Sequence, residues 1–237
     1  MANQLTSLEL LPPLAAGILP PLVWLWFWLK EDKKRPEPRN LLILSFFAGA
    51  LSILFVVPLQ FVAKDIFSTG LALLVAWAAI EEVAKYITAY IIDFRKRTYD
   101  EPIDSMIYLI TVALGFASFE NVLFLIKSAA AGSLSFSITT ALMRFLGATL
   151  LHVFSSAFLG GIVALAFCRS SKIKRLYALL GLITATILHT LFNFFIMNDG
   201  FGANTSVLTV FAALWVGVIA LLLFFERVKT VTCSIKT

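Results

Sequence analysis

Glu81 and Glu82 stand side by side in a stretch that is otherwise apolar from Thr69 to Ile92, with Lys85 about one turn further on. Adjacent carboxylates in apolar surroundings do not both ionise readily, so one of them stays able to take and return a proton. That is the equipment of general acid–base chemistry, with Glu81 or Glu82 as the base. Placing a single carboxylate at mid-membrane costs roughly 2.5–3.5 kcal/mol on insertion scales, so two in succession point to function. Few other charged or imidazole side chains interrupt the apolar runs: Glu120, Arg144, His152 and His189, joined by the amides Asn121 and Asn193. The chain has two histidines, and both are in this group.

Helical spacing organises these residues. Glu81 and Lys85 share a face, with Glu82 about 100° round the helix. Phe116 with Glu120, and His189 with Asn193, are likewise one turn apart, and Arg144, Ala148, His152 and Ser156 form a polar and small stripe. Four helices thus each present a narrow polar seam, which predicts one common interior site. At 1.5 Å per residue Glu81 lies roughly 18 Å below the outer face, Glu120 and His189 about 12 Å, and His152 about 22 Å. Each residue has a plainer reading: Glu81–Lys85 as a self-neutralising ion pair, Glu120 as a partner of Arg144, and Arg144 snorkelling outward. The histidines would be packing groups and Asn193 interhelical glue. Yet one lysine does not neutralise two carboxylates, and plain readings do not explain why all the seams occur together.

The elements that position these groups are transmembrane helices. The chain has 237 residues, is 60% hydrophobic and only 14% charged, against about 25% charged in soluble domains. With a mean hydropathy of +0.92, the fold class is all-α, a polytopic helical membrane protein. Seven spans are predicted at 12–29, 40–63, 69–92, 103–127, 137–167, 176–197 and 205–226, making residues 1–237 one membrane domain with a four-helix core over 69–197. Pro20 and Pro21 are expected to interrupt the first span, and Pro58 to kink the second. Lys and Arg number five in segment 30–39, three in 95–97, four among Arg169, Lys172, Lys174 and Arg175, and three in the tail, whereas the opposite loops hold Lys64 and Lys127. The positive-inside rule puts the N-terminus outside and the C-terminus in the cytoplasm.

The net charge of +5 therefore sets topology and implies no nucleic-acid partner. Cys168 and Cys233 fall on the reducing side and are expected as free thiols. Asp100-Glu101-Pro102-Ile103-Asp104 reads as the N-terminal cap of the fourth span. No serine or cysteine stands with a base in a nucleophilic arrangement, which argues against covalent catalysis. A buried Glu/His/Lys/Arg set also suits a proton-relay transporter, but the inverted repeat of many transporters is missing, and a non-catalytic scaffold is the third alternative.

In order, Glu81-Glu82-Val-Ala-Lys85, Asp100-Glu-Pro-Ile-Asp104, Gly115-Phe116-Ala-Ser-Phe-Glu120-Asn121, His152 and His189-Thr-Leu-Phe-Asn193 resemble the PrsW family of intramembrane proteases over roughly residues 69–197. That family is distantly similar to the CAAX-prenyl endopeptidase type II and bacteriocin-processing superfamily. Glu120-Asn121 stands where the superfamily carries histidine. The resemblance implies peptide-bond hydrolysis near the extracytoplasmic side of a membrane-protein substrate, such as an anti-sigma factor. The expected catalytic residues are Glu81, Glu82, Glu120, His152, His189 and Asn193, with Lys85, Phe116, Asn121 and Arg144 positioning water or substrate. Lys85 would hold one glutamate as an anion, and His189 with Asn193 would serve the oxyanion. Relatives are described both as metalloproteases and as metal-independent glutamate proteases. A glutamate-activated water is favoured over a metal here because no HExxH is present, with zinc held by histidines and carboxylates as the competing mechanism. The expected partners are the bilayer and a membrane-protein substrate; no oligomeric state is implied.

Overall fold

The computed structural model describes residues 7–31, 35–130, 147–197 and 205–233. Seven α-helices form among them: α1 Ser7–Glu31, α2 Arg39–Phe67, α3 Leu71–Ile92, α4 Asp104–Ala130, α5 Thr149–Leu165, α6 Ser171–Met197 and α7 Thr205–Val228. Each matches one predicted span. Four are long and apolar enough to cross a membrane on those grounds alone: Leu10–Lys30, Arg39–Phe67, Asp104–Ala130 and Ser171–Phe195. α3 carries Glu81, Glu82 and Lys85 within its 22 residues. The predicted start of the fifth span, including Arg144, lies outside the described residues. Pro12, Pro13, Pro20 and Pro21 sit inside a continuous α1, so the expected interruption does not occur.

α4 is the central post. Of its apolar window 72% is buried, against 44% for α2, 28% for α6 and 17% for α1. It packs against α1, α2 and α5, while α6 joins α5 to α3 and α7 covers α5. Large apolar residues such as Phe47, Phe55, Phe61 and Ile66 on α2 face outward, as a lipid-bathed surface requires. α2 and α4 meet backbone to backbone through reciprocal glycines. A Cβ on Gly49 would run into the Val112 carbonyl, and one on Gly115 into the Phe46 carbonyl. Small residues at such crossings let helices approach closely where no hydrophobic effect drives them together.

The described parts of the basic segments gather at one end of the bundle. There the expected cap forms: the Asp104 carboxylate accepts the N–H groups of Glu101 (2.7 Å) and Asp100 (2.9 Å). Pro102 occupies the first turn, where a missing N–H costs nothing. Arg35 pairs with Glu101 at 3.1 Å, Tyr108 donates to Glu37, and Ser45 donates to Asp93 at 2.5 Å. These contacts tie the α1–α2 linker and α2 to the α3–α4 connection.

Cys168 and Cys233 form a disulfide with Cα atoms 5.4 Å apart, correcting the expectation of free thiols. The reason is geometric. Beyond α7 the tail turns back, with Val231 donating to the Val228 carbonyl. It thereby meets the end of α5, against which α7 already packs through Phe158 and Phe224.

Asp93, just past α3, is fully buried, and burial raises its carboxyl to about 7, opposed by the Ser45 hydroxyl and the Lys96 ammonium. The folded state holds that proton more tightly than the unfolded chain, so this group's contribution falls as pH rises from its ordinary 3.8 through about 7. Thermal unfolding in detergent should show Asp93→Asn gaining on wild type by up to roughly 4 kcal/mol across that window. A difference that does not vary with pH would exclude Asp93 as the titrating group.

Candidate active site

The polar seams of α3, α4, α5 and α6 converge. Glu82, fully buried, is the hub: its Oε1 accepts from Lys85 Nζ at 2.7 Å, His189 Nδ1 at 2.7 Å and Ser155 Oγ at 2.9 Å, and its Oε2 from Ser156 Oγ at 3.5 Å. So many donors hold it as a carboxylate and require the proton of His189 on Nδ1. Lys85 holds Glu82, the choice that the sequence left open, and not Glu81 as in the plainer reading. Both spacings bring side chains together on a helix, and the contacts from α5 and α6 decide between them.

Glu81 is placed differently. Its Oε1 accepts from Gln60 Nε2 at 2.8 Å, while Oε2 is buried without a hydrogen-bond partner. That bare oxygen lies 3.6 Å from Nε2 of His189. His152 Nε2 lies 2.9 Å from Glu120 Oε2, and its Nδ1 is 3.4 Å from Lys85 Nζ. Because an ammonium has only donors, Nδ1 accepts and Nε2–H donates to Glu120. The two imidazoles meet edge to face at 5.2 Å. Phe116 packs 5.4 Å from the His152 ring and 5.6 Å from Lys85 Nζ, closing the cluster on the α4 side. Glu120 is the most open carboxylate, its side chain 20% exposed against 7% for Glu81 and 0% for Glu82.

One donor atom each from Glu81, His152 and His189 lies within 4.8 Å of the others, close enough to hold one metal ion. The donor chemistry fits once Lys85 gives up its long 3.4 Å contact with His152 Nδ1: one carboxylate and two imidazoles form a catalytic zinc set, with each ring anchored by a second carboxylate, Glu120 for His152 and Glu82 for His189.

Two further expected residues lie on the helices of this centre. Asn121, buried, donates to Thr149 Oγ1 at 3.0 Å and ties α4 to α5 beside His152. Asn193 is half-buried one turn beyond His189 and bonds none of the groups above. Sequence reasoning missed Gln60, which brings α2 into the site, and the bonds of Ser155 and Thr149. Gln60 is the one amide within the apolar run of α2 and was open to notice. Along α3 Glu81 lies midway, whereas Glu120, His152 and His189 lie in the halves of their helices away from the basic end. The site therefore sits in the half of the bundle away from the basic end.

A family model described as "PrsW family intramembrane metalloprotease" matches residues 37–223. Among curated relatives, Protease PrsW of Oceanobacillus iheyensis is 28% identical over 207 residues, covering 86% of this chain and 91% of the relative. Protease PrsW of Geobacillus kaustophilus is 26% identical, covering 78% and 79%. That of Bacillus subtilis is 25% identical, covering 76% and 81%. No solved structure matches the chain. The match reaches from the α1–α2 linker into α7 and so takes in every helix that contributes to the Glu82 hub. A multi-pass protein of a prokaryotic membrane, this chain belongs to the PrsW family of intramembrane proteases.

Proposed function

We propose that this chain hydrolyses a peptide bond in a membrane-spanning substrate at Glu81, His152 and His189, with a divalent metal held by those three side chains. The observation that carries the reading is the buried, unpartnered Oε2 of Glu81 facing an imidazole. Zinc suits this donor set, and when bound it polarises the scissile carbonyl and makes water acidic enough to attack at neutral pH. The protein's own groups do the rest. Glu82 fixes the tautomer of His189, and Lys85 keeps Glu82 charged. Glu120, the most open carboxylate, takes the proton of the attacking water and passes it to the leaving amine. Asn193 orients the peptide, and Asn121 holds α4 against α5 beside His152. The depth of the cluster supports cleavage toward the extracytoplasmic side of a single-span substrate, of which an anti-sigma factor is the example suggested by the family resemblance.

A second reading rests on the same oxygen. Without a metal, the bare Oε2 of Glu81 is the free lone pair of a general base. Two measurements on purified protein separate the readings. Wild type is expected to contain about one zinc per chain, absent from His152→Ala and His189→Ala, and to lose cleavage of a co-expressed single-span substrate on full chelation. Metal-free protein that still cleaves in chelator transfers the chemistry to Glu81 alone. Unimpaired cleavage by His189→Ala removes the site from proteolysis altogether.

A further inference from the structure

A cavity of about 250 Å³ opens at the basic end of the bundle between α3, the α3–α4 connection, α5 and the first turn of α6. Its walls are mainly aromatic. Tyr86 stacks on Tyr90 with centroids 6.2 Å apart, and Phe94 on Tyr99 at 4.7 Å, with Phe167 edge-on to Tyr99 at 5.1 Å. Lys174 and Arg175 complete the lining, and no carboxylate contributes to it. Lys174 Nζ lies 5.3 Å over the Phe167 ring, and neither cation pairs with an acid among the described residues. Two uncompensated positive charges beside tyrosines call for an anion that also tolerates an aromatic wall.

We propose that this cavity binds the headgroup of an anionic phospholipid from the cytoplasmic leaflet. Position and size both point to lipid. Tyrosines mark the level of the headgroups in membrane proteins, and basic pockets between transmembrane helices on the cytoplasmic side receive acidic headgroups. The cavity falls below the ~300–1,000 Å³ usual for small-molecule pockets. It holds a phosphate and its substituent while the acyl chains stay along the exposed apolar faces of Ile87 and Ile91. Choline suits an aromatic wall too, but two fixed cations oppose it, so the preference is for net negative headgroups. Tyr86 belongs to the helix of Glu81 and Glu82, and Lys174 to that of His189, so an occupied cavity braces the two helices against each other.

The test uses purified full-length protein in phosphatidylcholine vesicles with and without phosphatidylglycerol, reading lipid retention by native mass spectrometry and the thermal midpoint. Wild type is expected to retain phosphatidylglycerol selectively and to melt higher in its presence. The exposed double substitution Lys174→Gln with Arg175→Gln should weaken that selectivity roughly 30-fold. Arg97→Gln, which removes an exposed charge at the same end outside the cavity, should leave it intact. Unchanged selectivity in the double variant overturns the proposal. So does an equal loss in Arg97→Gln, which would assign the effect to diffuse surface charge. Displacement of phosphatidylglycerol by inorganic phosphate at matched concentration overturns it in favour of a soluble anion.

Discussion

Glu82→Gln is expected to lower the thermal midpoint by roughly 10 °C and to abolish cleavage with it. The substitution leaves the Lys85 ammonium, fully buried, without the carboxylate 2.7 Å away. Breaking one side of a buried ion pair typically costs about 3–5 kcal/mol, because the surviving charge is stranded. In a chain of this size each kcal/mol moves the midpoint by about 2–4 °C. His189 also loses the acceptor that fixes its tautomer, so activity falls along with stability. A second substitution distinguishes these effects. Glu82→Gln combined with Lys85→Met removes the stranded charge and is expected to restore most of the midpoint without restoring cleavage. A single Glu82→Gln variant that melts with wild type would show that the hub carries no structural load.

Its neighbour is expected to behave in the opposite way. Glu81→Gln should reduce cleavage by roughly 10²–10⁴-fold, whether the carboxylate holds the metal or, without one, acts as the base, while the midpoint of the metal-free protein stays within about 2 °C of metal-free wild type. Glu81 makes one hydrogen bond, to Gln60, and its second oxygen has no partner that the fold would miss. An amide keeps the shape and replaces the lone pair that matters with donors. Cleavage of a co-expressed single-span protein and melting of the purified variant, measured together, check both halves. Cleavage retained at wild-type rates would remove Glu81 from the chemistry.

The division of labour within the doublet was not legible in the sequence. Spacing alone put Lys85 within reach of either glutamate, and the choice depends on Ser155 and His189 arriving from other helices. What the sequence did carry was the cost of burial. Every charged or imidazole side chain inside an apolar run was visible as an anomaly, and Glu81, Glu82, Glu120, His152 and His189 all reach one cluster. Gln60 escaped because an amide in an apolar helix costs far less than a charge and looks incidental. The cap at Asp104 was readable because it is local, made by a residue three positions from the N–H it accepts. The disulfide was not, since 65 residues separate the cysteines and only the return of the tail joins them. The prolines of α1 warned of a break that the helix does not make.

The backbone contact of Gly49 and Gly115 with their opposite helices bears on how a substrate gains admission. Two helices welded at that level cannot part without losing the crossing itself, so they behave as one stiff frame. One limb of the frame carries Gln60, which clasps Glu81, and the other carries Glu120, so the carboxylates at either edge of the cluster keep their separation. The gate for an incoming peptide must therefore lie elsewhere around the perimeter, where partners meet through side chains that can swing aside.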